Sequence, residues 1–261
     1  MIKAIFFDVD GTLVSFQQKL LPDQLVKDLP ALRAKGIKLF LSTGRAIQDL
    51  ENTGMLRGVE FDGYVTLNGQ YCCDAQGEAY RDAPIPEADL RGAYRVLVEN
   101  SHLPALMEGN GESYMTQIND RVREIYQFLH TDLYPVRDPA WLLEGRVYQF
   151  VPFVAPEEEA LFLDAMPNCL HTRWHPKGID IIPRGGGKVV GVRATMDRYG
   201  WTREDIMAFG DGENDAEMLK LAGIGVAMGN AMDSVKAIAD HVTDSADDVG
   251  VSAALRHLGL L

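Results

Sequence analysis

Asp8 and Asp10 stand one residue apart, ahead of Gly11-Thr12 and directly after the apolar run Ala4-Ile5-Phe6-Phe7. In an extended segment, side chains two apart share a face, so the two carboxylates point the same way. Carboxylates that close repel each other unless a proton or a cation lies between them. A second acidic stretch, Gly210-Asp211-Gly212-Glu213-Asn214-Asp215, follows the apolar residues 206–209 and brings Asp211 and Asp215. Four carboxylates in one crevice require a hard cation, and an oxygen-only ligand set favours Mg²⁺ over zinc. Two basic residues answer the opposite need: Arg45 in Thr43-Gly44-Arg45, and Lys188 after Gly186-Gly187. Arginine grips planar anions and lysine acts as a mobile point charge. Carboxylates, a hard metal and two cations together describe a site for a phosphate group.

Each cluster alone has a plainer reading. Asp-Val-Asp-Gly-Thr is a turn whose acids cap backbone amides, and Thr-Gly-Arg a turn with a solvated arginine. The triple glycine before Lys188 is a hinge and not a Walker loop, because Val189 follows the lysine. The 210–215 stretch places acids at the favourable pole of a helix. Four such accidents, in this order and each at an element boundary, are not explained singly.

The elements that would carry them alternate. Residues 4–9 (apolar until Asp8), 37–41, 64–67, 206–209 and 224–227 are short, largely apolar runs, the pattern of strands covered on both sides. Between them, helical spacing runs over 20–35, 188–199, 213–221 and 234–239. The first of these ends at Gly36, and Pro30 is expected to kink or split it. Alternating strands and helices of this size imply an α/β fold with a parallel sheet, whose ligands bind outside the carboxyl ends of the strands. Between about 84 and 183 the pattern changes. Helix-like stretches (87–99, 119–129, 157–165) mix with β-rich pieces (113–117, 147–151) and seven interrupting prolines. The division expected is a discontinuous core of 1–82 and 184–261 with an inserted α+β domain over 83–183.

Composition narrows the function. With 25 Lys+Arg against 38 Asp+Glu, the net charge of −13 opposes binding to nucleic acid or to an anionic membrane. No apolar run approaches the ~20 residues that cross a bilayer, and the apolar start is too short for a signal peptide. Cys72, Cys73 and Cys169 show no metal or redox spacing and read as buried thiols of a reducing cytoplasm. The six histidines show no metal spacing either. No protein partner is evident.

Phe7-Asp8-Val9-Asp10-Gly11-Thr12-Leu13, Leu41-Ser42-Thr43-Gly44-Arg45, Asn68-Gly69, Lys188, Gly210 to Asp215 and Gly225-Val226-Ala227-Met228-Gly229-Asn230-Ala231 together resemble the haloacid dehalogenase-like (HAD) superfamily, most closely its Cof-type sugar-phosphatase branch. The resemblance covers about residues 1–82 and 183–257. It implies a Rossmann-like core, a large type-2 α/β cap and Mg²⁺-dependent phosphoryl transfer. By position, Asp8 resembles the nucleophile that forms an aspartyl-phosphate, and Asp10 the general acid/base. Thr43, with Gly44 and Arg45 beside it, and Lys188 resemble phosphate or substrate ligands. Asp8, the Asp10 backbone carbonyl and Asp211 resemble the metal site, which Asn214 and Asp215 support, Asn214 also toward substrate. The chain departs at Gly187, where a polar residue is common, and at Ser245, where asparagine is frequent.

Those assignments give a phosphatase for small phosphate monoesters, most simply sugar phosphates, working on a small phosphorylated metabolite. A phosphomutase and a phosphate-binding module without turnover are the alternatives, and Asp10 argues against the second. Within the insert, Glu108, Arg173, His175 and Asp180 are polar residues read as solvated or structural.

Overall fold

The computed structural model describes residues 1–129 and 132–261. His130 lies outside them. In chain order the elements are β1 (Ala4–Phe7), α1 (Asp23–Ala34), β2 (Lys38–Ser42), α2 (Ile47–Thr53), β3 (Gly63–Thr66), β4 (Tyr71–Asp74) and β5 (Ala79–Asp82). Then follow α3 (Glu87–Glu99), β6 (Ala105–Gly109), β7 (Ser113–Met115), α4 (Asp120–Leu129), β8 (Val147–Pro152), α5 (Glu159–Ala165), β9 (Cys169–His175) and β10 (Gly178–Pro183). The chain closes with α6 (Lys188–Tyr199), β11 (Ile206–Gly210), α7 (Ala216–Leu221), β12 (Ile224–Ala227), α8 (Asp233–Lys236), β13 (His241–Val242) and α9 (Gly250–His257). Two compact units result, Met1–Asp82 with Gly187–Leu261, and Ala83–Gly186.

The first unit is built on an eight-stranded sheet in the order β13-β12-β11-β1-β2-β3-β4-β5. The six strands from β13 to β3 pair in parallel, whereas β4 and β5 run antiparallel. The sheet is therefore mixed rather than wholly parallel: a tight hairpin, not a helical crossover, joins β4 to β5. Strand β1 lies at the centre and is fully buried, as its unbroken apolar run demands. Its aromatic side chains alternate between faces: Phe6 stacks on Phe40 at 5.0 Å and Phe7 on Phe209 at 5.3 Å. Helix α1 runs as one element through Pro30, against the expectation of a split, with Leu25, Leu29 and Leu32 buried along its inner side.

The second unit is a five-stranded antiparallel sheet, β7-β6-β8-β10-β9. Neighbouring Leu106 and Met107 point to opposite faces and join different clusters. Met107 packs with Phe150, Ile181, Leu97 of α3 and Phe162 of α5; Leu106 packs with Val151, Val122 and Ile125 of α4. No helix among the described residues is long and apolar enough to cross a membrane.

Candidate active site

Parallel register brings the strand ends level. Phe7 pairs with Phe209 on one side and Leu41 on the other, so the residues that follow each emerge along the same edge. Asp8 leaves β1 with its N–H donated to the Phe209 carbonyl at 3.0 Å, and it is buried. Asp211 and Asp215 leave β11 next door. Carboxylate oxygens of Asp8, Asp211 and Asp215 all lie within 4.8 Å of one another.

Lys188 is the first residue of α6 and is 1% exposed. Its Nζ donates to Asp8 Oδ1 and to Asp215 Oδ1, each at 2.7 Å. The other Asp215 oxygen accepts the amides of Asp211 at 3.1 Å and Gly212 at 3.0 Å, which ties the acidic loop into one turn. Asp211 is held from two sides: Thr12 donates its hydroxyl to Oδ1 at 3.3 Å and Asn230 its amide to Oδ2 at 3.3 Å. Asn230 also donates to the Gly11 carbonyl at 2.8 Å. Gly11 has a φ of +83°, and a Cβ there would sit 2.3 Å from Asp211 Oδ2, so only glycine lets the two loops close.

Burial pushes the Asp8 carboxyl up to about 7, with Asp215 and Asp10 adding repulsion against the pull of Lys188. Asp211 is pushed up to about 8 by burial and by the charges of Asp8 and Asp215. Burial draws Lys188 down, yet the charges of Asp215 and Asp8 outweigh it and hold the ammonium above its ordinary value. The site thus carries more negative charge than Lys188 offsets. An all-oxygen donor set in that condition fits a hard divalent cation.

Asp10 faces elsewhere. Its carboxylate forms a two-pronged ion pair with Arg45, at 2.7 Å to Nε and 2.8 Å to Nη2. The side chain of Asp10 thus stands outside the carboxylate cluster, and Arg45 meets Asp10. Thr43 is buried at the end of β2, and its Oγ1 accepts the Arg45 amide at 3.1 Å. Gly44, between them, lies against the Asn68 amide. Asn214 donates to Asn68 Oδ1 at 3.0 Å.

Thr12, Asn68 and Asn230 were in the motifs without an assigned role. The signal for Asn230 was available: it is a polar residue just beyond β12, the position rule that singled out the other loops. In the second unit, Glu108 is buried and accepts from Gln149 at 2.5 Å across β6 and β8. Arg173 pairs with Glu159 and donates to the Val154 and His175 carbonyls; His175 Nδ1 accepts the Lys177 amide at 3.1 Å. Asp180 lies in β10 opposite Thr172.

A mainly parallel sheet with acids and a buried lysine gathered at its strand ends defines an α/β protein whose site suits phosphoryl-group chemistry. The chain belongs to the haloacid dehalogenase-like hydrolase family, whose description matches residues 5–255. A solved structure titled as a HAD subclass IIB sugar phosphatase is 35% identical, with a TM-score of 0.85 over 99% of this chain and 100% of that one. Pyridoxal phosphate phosphatase YbhA of Escherichia coli is 28% identical over 264 residues, 93% of this chain and 95% of its own. The 5-amino-6-(5-phospho-D-ribitylamino)uracil phosphatase YcsE of Bacillus subtilis is 27% identical over 257 residues, 98% and 95% of the two chains. The protein is an enzyme, a HAD-family phosphatase.

Proposed function

We propose that the chain is a Mg²⁺-dependent phosphatase of small phosphate monoesters, sugar phosphates foremost, that works through an aspartyl-phosphate on Asp8. The observation that carries this reading is the meeting of Asp8, Asp211 and Asp215 around Lys188 at the strand ends. One oxygen of Asp8 attacks phosphorus, and the ester oxygen leaves with a proton from Asp10. Asp10, whose two oxygens both accept from Arg45 in this structure, must turn from Arg45 to give that proton, and it then takes one from the water that cleaves the acyl phosphate. Thr43 Oγ1 accepts from the Arg45 amide and still has its O–H to give to a phosphate oxygen. Lys188, held charged by Asp8 and Asp215, would offset negative charge on the transferring group. Asp8, Asp211 and the Asp10 carbonyl would hold Mg²⁺, supported by Asp215 and Asn214; when bound, the ion neutralises charge on the carboxylates and the phosphoryl oxygens.

The names of the relatives span a sugar phosphatase, a pyridoxal phosphate phosphatase and a 5-amino-6-(5-phospho-D-ribitylamino)uracil phosphatase. That spread supports assigning the leaving group to the 83–186 unit, since the strand-end residues are taken up by phosphate and metal. A cytoplasmic setting is supported by three buried, unpaired thiols. Incubation with a labelled sugar phosphate and Mg²⁺ tests the reading. Free phosphate is expected; an isomeric sugar phosphate would make the protein a mutase, and no turnover a binding module.

A further inference from the structure

The Asn68-Gly69 pair has no part in the chemistry above, yet its backbone is the most unusual in the core unit. Leu67, Asn68 and Gly69 follow one another with φ of +52°, +52° and +81°. Left-handed conformation is rare for a residue with a Cβ, and asparagine tolerates it best after glycine. In this buried run Leu67 is the strained member, held in place by an asparagine and a glycine that tolerate the turn, and strain of this kind gathers at functional sites.

The left-handed turn directs the polar groups of Asn68 to three strand-end loops at once. Its N–H donates to the Thr43 carbonyl at 3.0 Å, beside the Leu67 N–H that donates to Arg45 at 3.2 Å. Its carbonyl accepts the Gly187 N–H at 3.1 Å, immediately before Lys188. Its side-chain Oδ1 accepts from Asn214 at 3.0 Å, in the loop of Asp211 and Asp215. Gly69 completes the clamp. A Cβ on Gly69 would stand 2.4 Å from the Gly187 carbonyl, so the turn rests directly on the first turn of α6. From behind, Arg81 Nε fixes the Gly69 carbonyl at 2.7 Å and Gln70 Nε2 reaches the Asn68 carbonyl at 3.1 Å.

We propose that Asn68 is a positioning residue whose left-handed main chain sets Lys188 and Thr43 at working distance from Asp8. The inference rests on the phosphatase reading for its catalytic readout. It attributes the effect to the backbone, with the Asn214 contact secondary, and so makes an unusual demand: glycine should substitute better than a larger residue. Asn68→Gly keeps the left-handed turn and its main-chain bonds; Asn68→Val, β-branched, resists that φ and pushes the turn off α6.

The test measures kcat and KM for one phosphate ester, orthophosphate affinity by calorimetry, and the folded fraction by thermal unfolding. Per folded molecule, Asn68→Val should lose at least about tenfold in kcat, since small displacements of groups around a reacting centre carry costs of that order or larger. Its orthophosphate affinity should fall too, while Asn68→Gly stays within about threefold of wild type on both. A purely structural role would lower the melting temperature of Asn68→Val and leave kcat of the folded enzyme unchanged, which would overturn the proposal. Equal damage from glycine and valine would overturn it as well, by moving the effect to the side chain. If Asn68→Val does not fold, Asn68→Ala is judged by the same criteria. Wild type without turnover would count against the phosphatase reading alone, and orthophosphate affinity across the series then decides this one.

Discussion

In the core unit, buried Asp8, Lys188 and Asp215 come from three distant stretches of chain and meet one another as ions. In the second unit, buried Asp89 accepts both the backbone and side-chain N–H of Asn168, and buried Glu108 accepts from Gln149 on the adjacent strand. Those contacts stitch adjacent segments within one unit. Ions taken out of water at one point cost several kcal/mol each in desolvation, which replacement by apolar side chains would avoid. Asp8 and Asp211, pushed up by burial and mutual repulsion, show that this core cluster is not arranged for stability alone. Charge gathered against its own preference marks the centre we propose as reacting; carboxylates that bind amides of the adjoining chain mark the frame.

The hardest blow to that contrast falls on Asp8. Asp8→Asn should leave the fold in place and lower turnover by about 10⁴-fold or more, because an amide oxygen is a poor nucleophile and knocking out a nucleophile has costs of that order. Phosphate release within tenfold of wild type would end the covalent mechanism. Asp10→Asn should follow with a loss of roughly 10²–10⁴-fold. The loss should be smaller for aryl phosphates, whose leaving group needs no proton, and equal losses on aryl and sugar phosphates would deny Asp10 its role in the first step.

The same contrast explains what could be read from the chain. Strands β1, β2, β11 and β12 were legible because burial on both faces writes largely apolar runs, and the polar residues just past β1, β2 and β11 were legible as site candidates because ligands bind beyond the strand ends. Helix α6 was legible to the residue from its spacing. The β4–β5 hairpin was not: β5 is an edge strand whose ends, Ala79 and Asp82, are exposed, so no apolar run announces it. Helix α2 buries only Leu50 and left no stripe to detect. Pairings depend on three-dimensional approach, and here the sequence offered types without partners. Arg45 was assigned to phosphate by its chemistry, but its geometry with Asp10 required the register of β1 against β2. Thr12 and Asn230 take their meaning from the closeness of Gly11 to Asp211, which only the packed loops reveal.

Exchanging the segment 83–186 for that of a relative probes the other side of the comparison. If the frame of the second unit carries the surface that reads the leaving group, the ranking of substrates should change by about 10–100-fold between the best pair, the range that pocket contacts command. Turnover of a small aryl phosphate, which asks little of that surface, should hold nearly constant. An unchanged ranking over a panel of metabolite phosphates would place specificity in the core.

The smallest effect expected is on stability. Asp8 and Asp211 have folded-state pKa values above the ordinary carboxyl value of 3.8, so the folded protein holds protons that the unfolded chain has lost. Their contribution is full below about pH 4 and is lost as pH rises through the raised values, at up to about 1.4 kcal/mol per pH unit for each extra proton held. Without metal, the melting temperature should therefore fall between about pH 5 and 8 more steeply in wild type than in Asp211→Asn, which has one titrating group fewer and relieves the repulsion on Asp8. Mg²⁺ at about 100 times its Kd should add about 2.7 kcal/mol by binding the folded site alone. In a chain of this size that is a rise of about 5–10 °C. Asp211→Asn should lose most of the rise while its metal-free form melts no lower than wild type near neutral pH. Calorimetric scans of both proteins from about pH 5 to 8, with Mg²⁺ and with chelator, measure the slopes and the rises, and a rise of equal size in the two would put the ion away from Asp211.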